Sequence, residues 1–330
     1  MREAIGFARL AGALAAAGLL ACGITASHAT EPAYPSRPVK LVVPSVPGGP
    51  IDAVSRLIGT RLSARLGASF YVENKPGGNV QIGANYVARS DPDGYTLLTT
   101  SPAHIFNPLL YSKLPYETGR DLTGVAMMAR VPLLVVVNAD LPIHTVADLV
   151  AWGKAHPDRL RYGSSGSGST ANLTGELISM HTGIRLEHIP YKGSAAALPD
   201  LMAGRFEVMI DTLQLFAPHI RSGKVRAIAF TGTKRVPALP DVPTFAQSGY
   251  PDVVANSWLA IVARGKTPPG VIEKLGHTVT DILAEPEVRR QIADFGMESD
   301  VMTPAQLNRY FVTESERWAK VIRAGKIRVE

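Results

Sequence analysis

Short runs of Val, Ile, Leu and Thr alternate along this chain with segments whose apolar residues recur every three or four positions, a pattern that predicts an α/β fold. The run at 39–43 reads as a first strand. Behind it the stripe Val54, Ile58, Leu62 and Leu66 predicts a helix opened by Gly49 and Pro50, with Asp52 in its first turn. A strand at 70–73, a glycine-rich turn, a helix at 83–89, the turn Asp91-Pro92-Asp93-Gly94 and a strand at 95–100 follow. Further on, strands are predicted at 185–189, 206–210 and 226–230. Helices are predicted at 146–155, at 194–203, and from a second glycine-rich segment as far as 181. The chain ends on helical patterns at 269–284, 286–295 and 304–324.

The long apolar run at 125–138 is interrupted by Pro132. A central strand accepts proline poorly, so Pro132 reads as the point where the chain leaves one sheet for another, and 257–262 as the return. The expected architecture is two α/β lobes, each a mixed sheet flanked by helices, joined by two hinge crossings. Lobe 1 is discontinuous, 30–132 with 256–330, and lobe 2 is 133–255. Between them lies a cleft where loops at the carboxyl ends of the strands meet.

The first 29 residues read as an export signal rather than as part of this fold. Arg2 and Arg9 flank a short basic start, 10–21 is an unbroken run of Leu, Ala and Gly, and Ser27-His28-Ala29 suits cleavage before Thr30. Leu19-Leu20-Ala21-Cys22 also fits a lipoprotein box, with Cys22 acylated; the Ala29 site is the better placed of the two. With one cysteine there is no disulfide, so the fold rests on its core, and 46% apolar composition is enough to build one. The formal charge of +6, or +5 without Arg2, Glu3 and Arg9, is spread in singles with no basic run. That argues against nucleic acid and for a mild attraction to small anions.

Two glycine-rich loops, VPSVPGGPIDAV at 43–54 and RYGSSGSGSTANL at 161–173, each lead from a strand into a helix. A helix start offers free N–H groups and the positive end of its dipole, and two facing each other would clamp a carboxylate without Arg, Lys or metal. Asp52 either complements the dipole or meets a ligand amine or hydroxyl. The hydroxyls around Gly163, Gly166 and Gly168 suit carboxylate oxygens. Enzyme readings fare worse: Ser169 stands where a Walker lysine belongs, and no GxSxG elbow occurs. Gly166, Gly168 and Ala171, with Glu187 downstream, match only a dinucleotide fingerprint. The eight histidines form no close ligand pair, and His104, behind the strand end at Thr99-Thr100-Ser101, is the one held open as functional. Asp211, read as closing the 206–210 strand, is either a helix cap or a cleft group.

The ordered segments YPSRPVKLVVP, PGGPIDAVSR, ENKPGG, PDGYTLL, NPLLYSKLPY, YGSSGSGSTANLTGEL, IPYKG, APHIRSGKVRAIA, PALPDVPT and WAKVIRAGKI resemble the Bug (TctC) family, exported solute-binding receptors of tripartite tricarboxylate transporters. The resemblance implies a type II periplasmic-binding-protein fold. It also implies a small carboxylate ligand, membrane permease partners, a monomer in the periplasm, and neither catalysis nor cofactor nor metal. It places the ligand against Ser45, Pro47, Gly48 and Gly49 of the first loop and Ser164, Ser165, Gly166, Ser169 and Thr170 of the second, with Ser101, Tyr191, Lys192 and Asp211 nearby. Three positions depart from the family's habit: Ser45 for an aromatic residue, a shorter glycine cluster at Gly77-Gly78-Asn79-Val80, and Asn172 for a histidine. A receptor presenting its ligand to a sensor kinase and, more remotely, a secreted dinucleotide-dependent enzyme are the rival readings.

Overall fold

The computed structural model describes residues 34–329; the expected export signal and Cys22 lie outside them. Strand β1 (Val39–Val43) leads through the first glycine loop into helix α1 (Pro50–Leu66), whose Val54, Ile58 and Leu62 are fully buried. Then come β2 (Phe70–Asn74), α2 (Gln81–Ala88), β3 (Thr96–Thr100), α3 (Ala103–Leu110) and the short α4 (Thr118–Asp121). Strand β4 (Leu122–Asn138) is followed by α5 (Val146–Ala155), β5 (Arg161–Ser164), α6 (Thr170–Thr182), β6 (Glu187–Pro190) and α7 (Ser194–Met202). After β7 (Val208–Thr212), α8 (Leu213–Arg221) and β8 (Val225–Phe230) comes β9 (Asn256–Arg264). The chain closes with α9 (Pro269–Ala284), α10 (Pro286–Asp294), β10 (Glu298–Ser299) and α11 (Pro304–Ala324).

The strands run in the order β2-β1-β3-β9-β4-β7-β5-β6, with β8 and β10 also paired to β4. β1 is parallel to β2 and β3, and β5 is parallel to β6 and β7. β4 changes partners within its length. Up to Pro132, which faces Asn256, it pairs antiparallel with β9; from Leu133 it pairs with β7, and from Leu134 also with β8. The long apolar run is therefore one continuous strand shared by two groups of strands. The segment 257–262, expected only as a return, is the interior of β9, a strand packed between β3 and β4.

The helices α3 and α4 escaped the sequence pattern, as did the two-residue β10. α3 carries Pro108 inside it, and α4 is a single turn, so neither shows a helical stripe. α11 is the longest helix among the described residues. It opens on a capping box in which Thr303 and Gln306 bond each other's backbone N–H, and Pro304 fills the first turn. Asn308 near its start bonds Gly124 of β4, Trp318 packs edge-on to Phe106 of α3, and Gly325 beyond its end lies against Glu176 of α6. This one helix thus touches elements of both strand groups.

Gly175 of α6 lies against the Tyr162 ring so closely that a Cβ there would sit 2.3 Å from a ring carbon. Gly175→Ala should lower stability by about 1–3 kcal/mol in urea denaturation, the usual cost of overpacking. Tyr162→Phe with Gly175 retained should cost less, because it keeps the packing.

Candidate ligand-binding site

The first loop is built by side chains that reach back into it. Asp52, at the third position of α1, is 3% exposed and accepts the backbone N–H of Gly48 at 3.0 Å, Arg56 Nε at 2.9 Å and Asn74 Nδ2 at 2.8 Å. Asn74 Nδ2 also donates to the carbonyl of Ser45. Chiefly through Arg56, these partners hold the Asp52 carboxyl well below its ordinary value, at about 2. Asp52 is therefore a fixed member of the loop, with both oxygens engaged, and not a group waiting for a ligand amine. Gly48 has φ +85, a conformation suited to glycine, and its N–H is already spent on Asp52. What the loop leaves unspent are the N–H groups of Ile51 and Asp52 at an α1 start with no side-chain cap, and the buried Oγ of Ser45, which has no partner among the described residues. Val46, Pro47 and Gly48 are exposed at the loop tip, and a Cβ on Gly49 would approach only the Val46 carbonyl, at 3.9 Å.

The second loop repeats the device. Asn172, at the third position of α6, accepts the N–H of Gly168 at 2.9 Å, while its amide donates to Tyr162 Oη at 2.9 Å. Gly168 has φ +75 and packs against Leu110 of α3 and Val329. Ser164 and Ser169 are committed inside the loop. Ser164 is fully buried, accepts the Gly166 N–H, and lies 2.6 Å from His188 Nε2; Ser169 caps α6 by accepting the Asn172 N–H. The hydroxyls of Ser165, Ser167 and Thr170, and the N–H groups of Ser167, Thr170 and Ala171, have no partner among the described residues.

A chain of contacts joins the loops. Gly83 of α2 lies against Pro44, Asn79 just before α2 exchanges hydrogen bonds of 3.0 and 2.8 Å with Asn107 of α3, and Leu110, one turn further along α3, meets Gly168. Thr100, at the end of β3, is 1% exposed, and its Oγ1 has no partner among the described residues. Thr100 was not singled out from the sequence, although the polar strand end Thr99-Thr100-Ser101 was the signal for it. Ser101 is half-buried, and its carbonyl accepts the His104 N–H.

Asp211, Tyr191 and Lys192 are the remaining candidates. β7 begins two residues later than expected, so Asp211 lies within the strand. Its carboxylate takes the Thr212 N–H and the Ser194 hydroxyl, pinning the start of α7 instead of capping α8. Tyr191 directs its hydroxyl to Asp200 at 2.8 Å. Lys192 is exposed beside the second loop, where Gly193 N–H meets the Ser165 carbonyl, and has no ion-pair partner among the described residues. Glu187 opens β6 opposite Arg161, at the end of the strand pair away from the loop, so the dinucleotide fingerprint lacks its acid in the required place. Ser164 and His188 have the spacing of a nucleophile and base, but burial lowers the His188 pKa to about 4, which makes the imidazole a weak base, and the serine is shut from solvent. No cluster of three metal-ligating side chains occurs among the described residues.

The model of the family described as tripartite tricarboxylate transporter family receptor, TctC, matches residues 54–327. The chain belongs to the TctC family. Protein BugT of Bordetella pertussis is 36% identical over 293 residues, 88% of this chain and 90% of BugT. Among solved structures, R. palustris Rpa4515 with adipate is 37% identical with a TM-score of 0.78, covering 89% of this chain and 99% of that one. MatC from Rhodopseudomonas palustris with bound malate is 30% identical with a TM-score of 0.73, covering 88% and 100%. TctC proteins are receptors rather than enzymes, with the two-lobe fold of periplasmic binding proteins.

Because its pKa is lowered from 3.8 to about 2, Asp52 contributes stability that is fully present above the unfolded value and is lost as pH falls through the folded one. The shift corresponds to about 2 kcal/mol. Asp52→Asn should lower stability near neutral pH by about that amount. It should also flatten the acid limb of a stability profile, measured by urea denaturation, over the interval from the unfolded to the folded value.

Proposed function

We propose that this TctC receptor captures a small carboxylate between the two glycine loops in the periplasm and delivers it to the permease of a tripartite tricarboxylate transporter. The observation that carries the reading is the pair of matched helix starts. Each loop is braced from behind by its own helix, and each leaves N–H groups without acceptors, as an anion site requires. Ser45 and Thr100 supply buried hydroxyls that a carboxylate oxygen would satisfy. Lys192, at the edge of the second loop, offers the distal end of a dicarboxylate a cation. The relatives solved with adipate and malate favour the same chemical class.

In this reading 30–132 with 256–330 and 133–255 move as lobes that close on the acid, with Pro132 and Asn256, which face each other in β4 and β9, at the hinge. Closure would be driven by the acid completing hydrogen bonds to both loops at once, since binding can shift an equilibrium only by the difference in affinity for the two states.

Isothermal titration with mono-, di- and tricarboxylates, adipate and malate among them, tests the proposal; a panel with no binder would overturn it. With the best acid, Thr100→Val and Ser45→Ala should each weaken binding by about tenfold, the value of one hydrogen bond to a charged group. Neither should lower the melting temperature of the unliganded protein, because each removes a hydroxyl that lacks a partner there. Unchanged affinity in both variants would move the ligand away from these hydroxyls.

A further inference from the structure

Away from the glycine loops, α3, α4 and α11 enclose a cavity of about 490 Å³, the size of a small-molecule site. Its apolar wall is Ile105, Leu122, Phe311 and Val312. Two polar groups of its lining lack hydrogen-bond partners. His104 is 4% exposed, its ring 4.7 Å from Phe311, with no hydrogen-bond partner for its side chain among the described residues; Thr118 Oγ1 is buried and likewise unpartnered. Burial holds the imidazole neutral, with its pKa down at about 4, so it presents one N–H and one bare nitrogen. Asn308, the amide on the wall, is already spent on Gly124 and Pro304.

The charges at this cavity are the reverse of those suited to a carboxylate. Glu117 and Glu316 line it and are exposed, and no Lys or Arg does so. Glu117 faces Arg120, but Glu316 has no ion-pair partner among the described residues. An anion would enter past two carboxylates and find no cation inside, only the uncapped single turn of α4. An unpartnered histidine and threonine in the lining of an apolar cavity nevertheless call for a hydrogen-bonding guest.

We propose that this cavity is a second binding site, separate from the carboxylate cleft, for a small neutral or cationic molecule with an apolar body and a hydroxyl head. The hydroxyl meets His104 and Thr118, the body packs on Phe311 and its neighbours, and any positive charge stays at the mouth with Glu316. Phe311 also offers a ring face to such a body.

Three probes of one shape and different charge test this on the mature protein: 4-methylphenol, tyramine and 4-hydroxyphenylacetate. Binding is read from the amide resonances of Thr118 and Gly119, which report this cavity; those of Gly166 and Gly168 report the glycine loops. The neutral or the cationic probe should shift the first pair, and the anion should do so at least about tenfold more weakly. Val312→Trp, at a position 60% exposed, should close the mouth and abolish the shifts without disturbing the core. His104→Phe keeps the ring and should weaken binding about tenfold. If His104→Phe does not fold, Val312→Trp alone decides. Equal or tighter binding of the anion at Thr118 and Gly119, no shift with any probe, or shifts that survive Val312→Trp would each overturn the proposal.

Discussion

Everything in the fold hangs on β4 being shared. A strand of this length, buried almost throughout, would leave a ladder unpaired if it belonged to one small sheet. It escapes that by changing neighbours at Pro132: β9 and β10 pair with its first part, β7 and β8 with its second. Proline removes one backbone donor at the exchange, and beyond it the Leu133 N–H finds the Thr231 hydroxyl at 3.2 Å. The rest of each strand group is added outward from this axis, which is why β1 and β5, the strands that lead into the glycine loops, lie on its opposite sides.

The two loops solve one problem in one way. A glycine with positive φ turns the chain ahead of the helix, and its N–H would be left bare or would bind the ligand in an ill-defined geometry. In both loops the side chain four residues later, Asp52 or Asn172, takes that N–H and fixes the turn. The N–H groups that remain are then held in place before any ligand arrives, so less conformational entropy is lost on binding. Asn172 is one of the positions where this chain departs from its family's habit. Its amide suits the double duty here, since one end accepts from Gly168 and the other donates to Tyr162.

The α/β alternation, the long helices and the Pro132 exchange were legible because burial writes apolar periodicity into Val54, Ile58 and Leu62 and into the run through β4. α3 was not, because Pro108 and a nearly continuous apolar composition hide its period. The glycine loops were legible as helix starts, but the division of labour inside them was not. Ser164 and Ser165 are the same letter, yet one is fully buried against His188 and the other exposed. Only the shift of β7 by two residues shows that Asp211 holds Ser194. The polar strand end Thr99-Thr100-Ser101 marks Thr100 only loosely: a hydroxyl in a buried strand becomes notable when its neighbours are seen to leave it unpartnered.

An acidic residue in the first turn of α1 runs against an anion site, since Asp52 lies three residues from Gly49 and an unpaired carboxylate there would repel an incoming one. The geometry resolves the conflict. Asp52 is paired with Arg56 one turn along the helix and also takes hydrogen bonds from Gly48 and Asn74, so its charge is neutralised locally and directed away from solvent. Arg56 is half exposed, so water shares in stabilising the pair. The first loop thus gains the rigidity of an ionised capping group without presenting its field to the ligand, while Asn172 gives the second loop the same rigidity with no charge at all. The side chain used for bracing can therefore differ between the two sides, provided that whatever charge it carries is cancelled within its own loop.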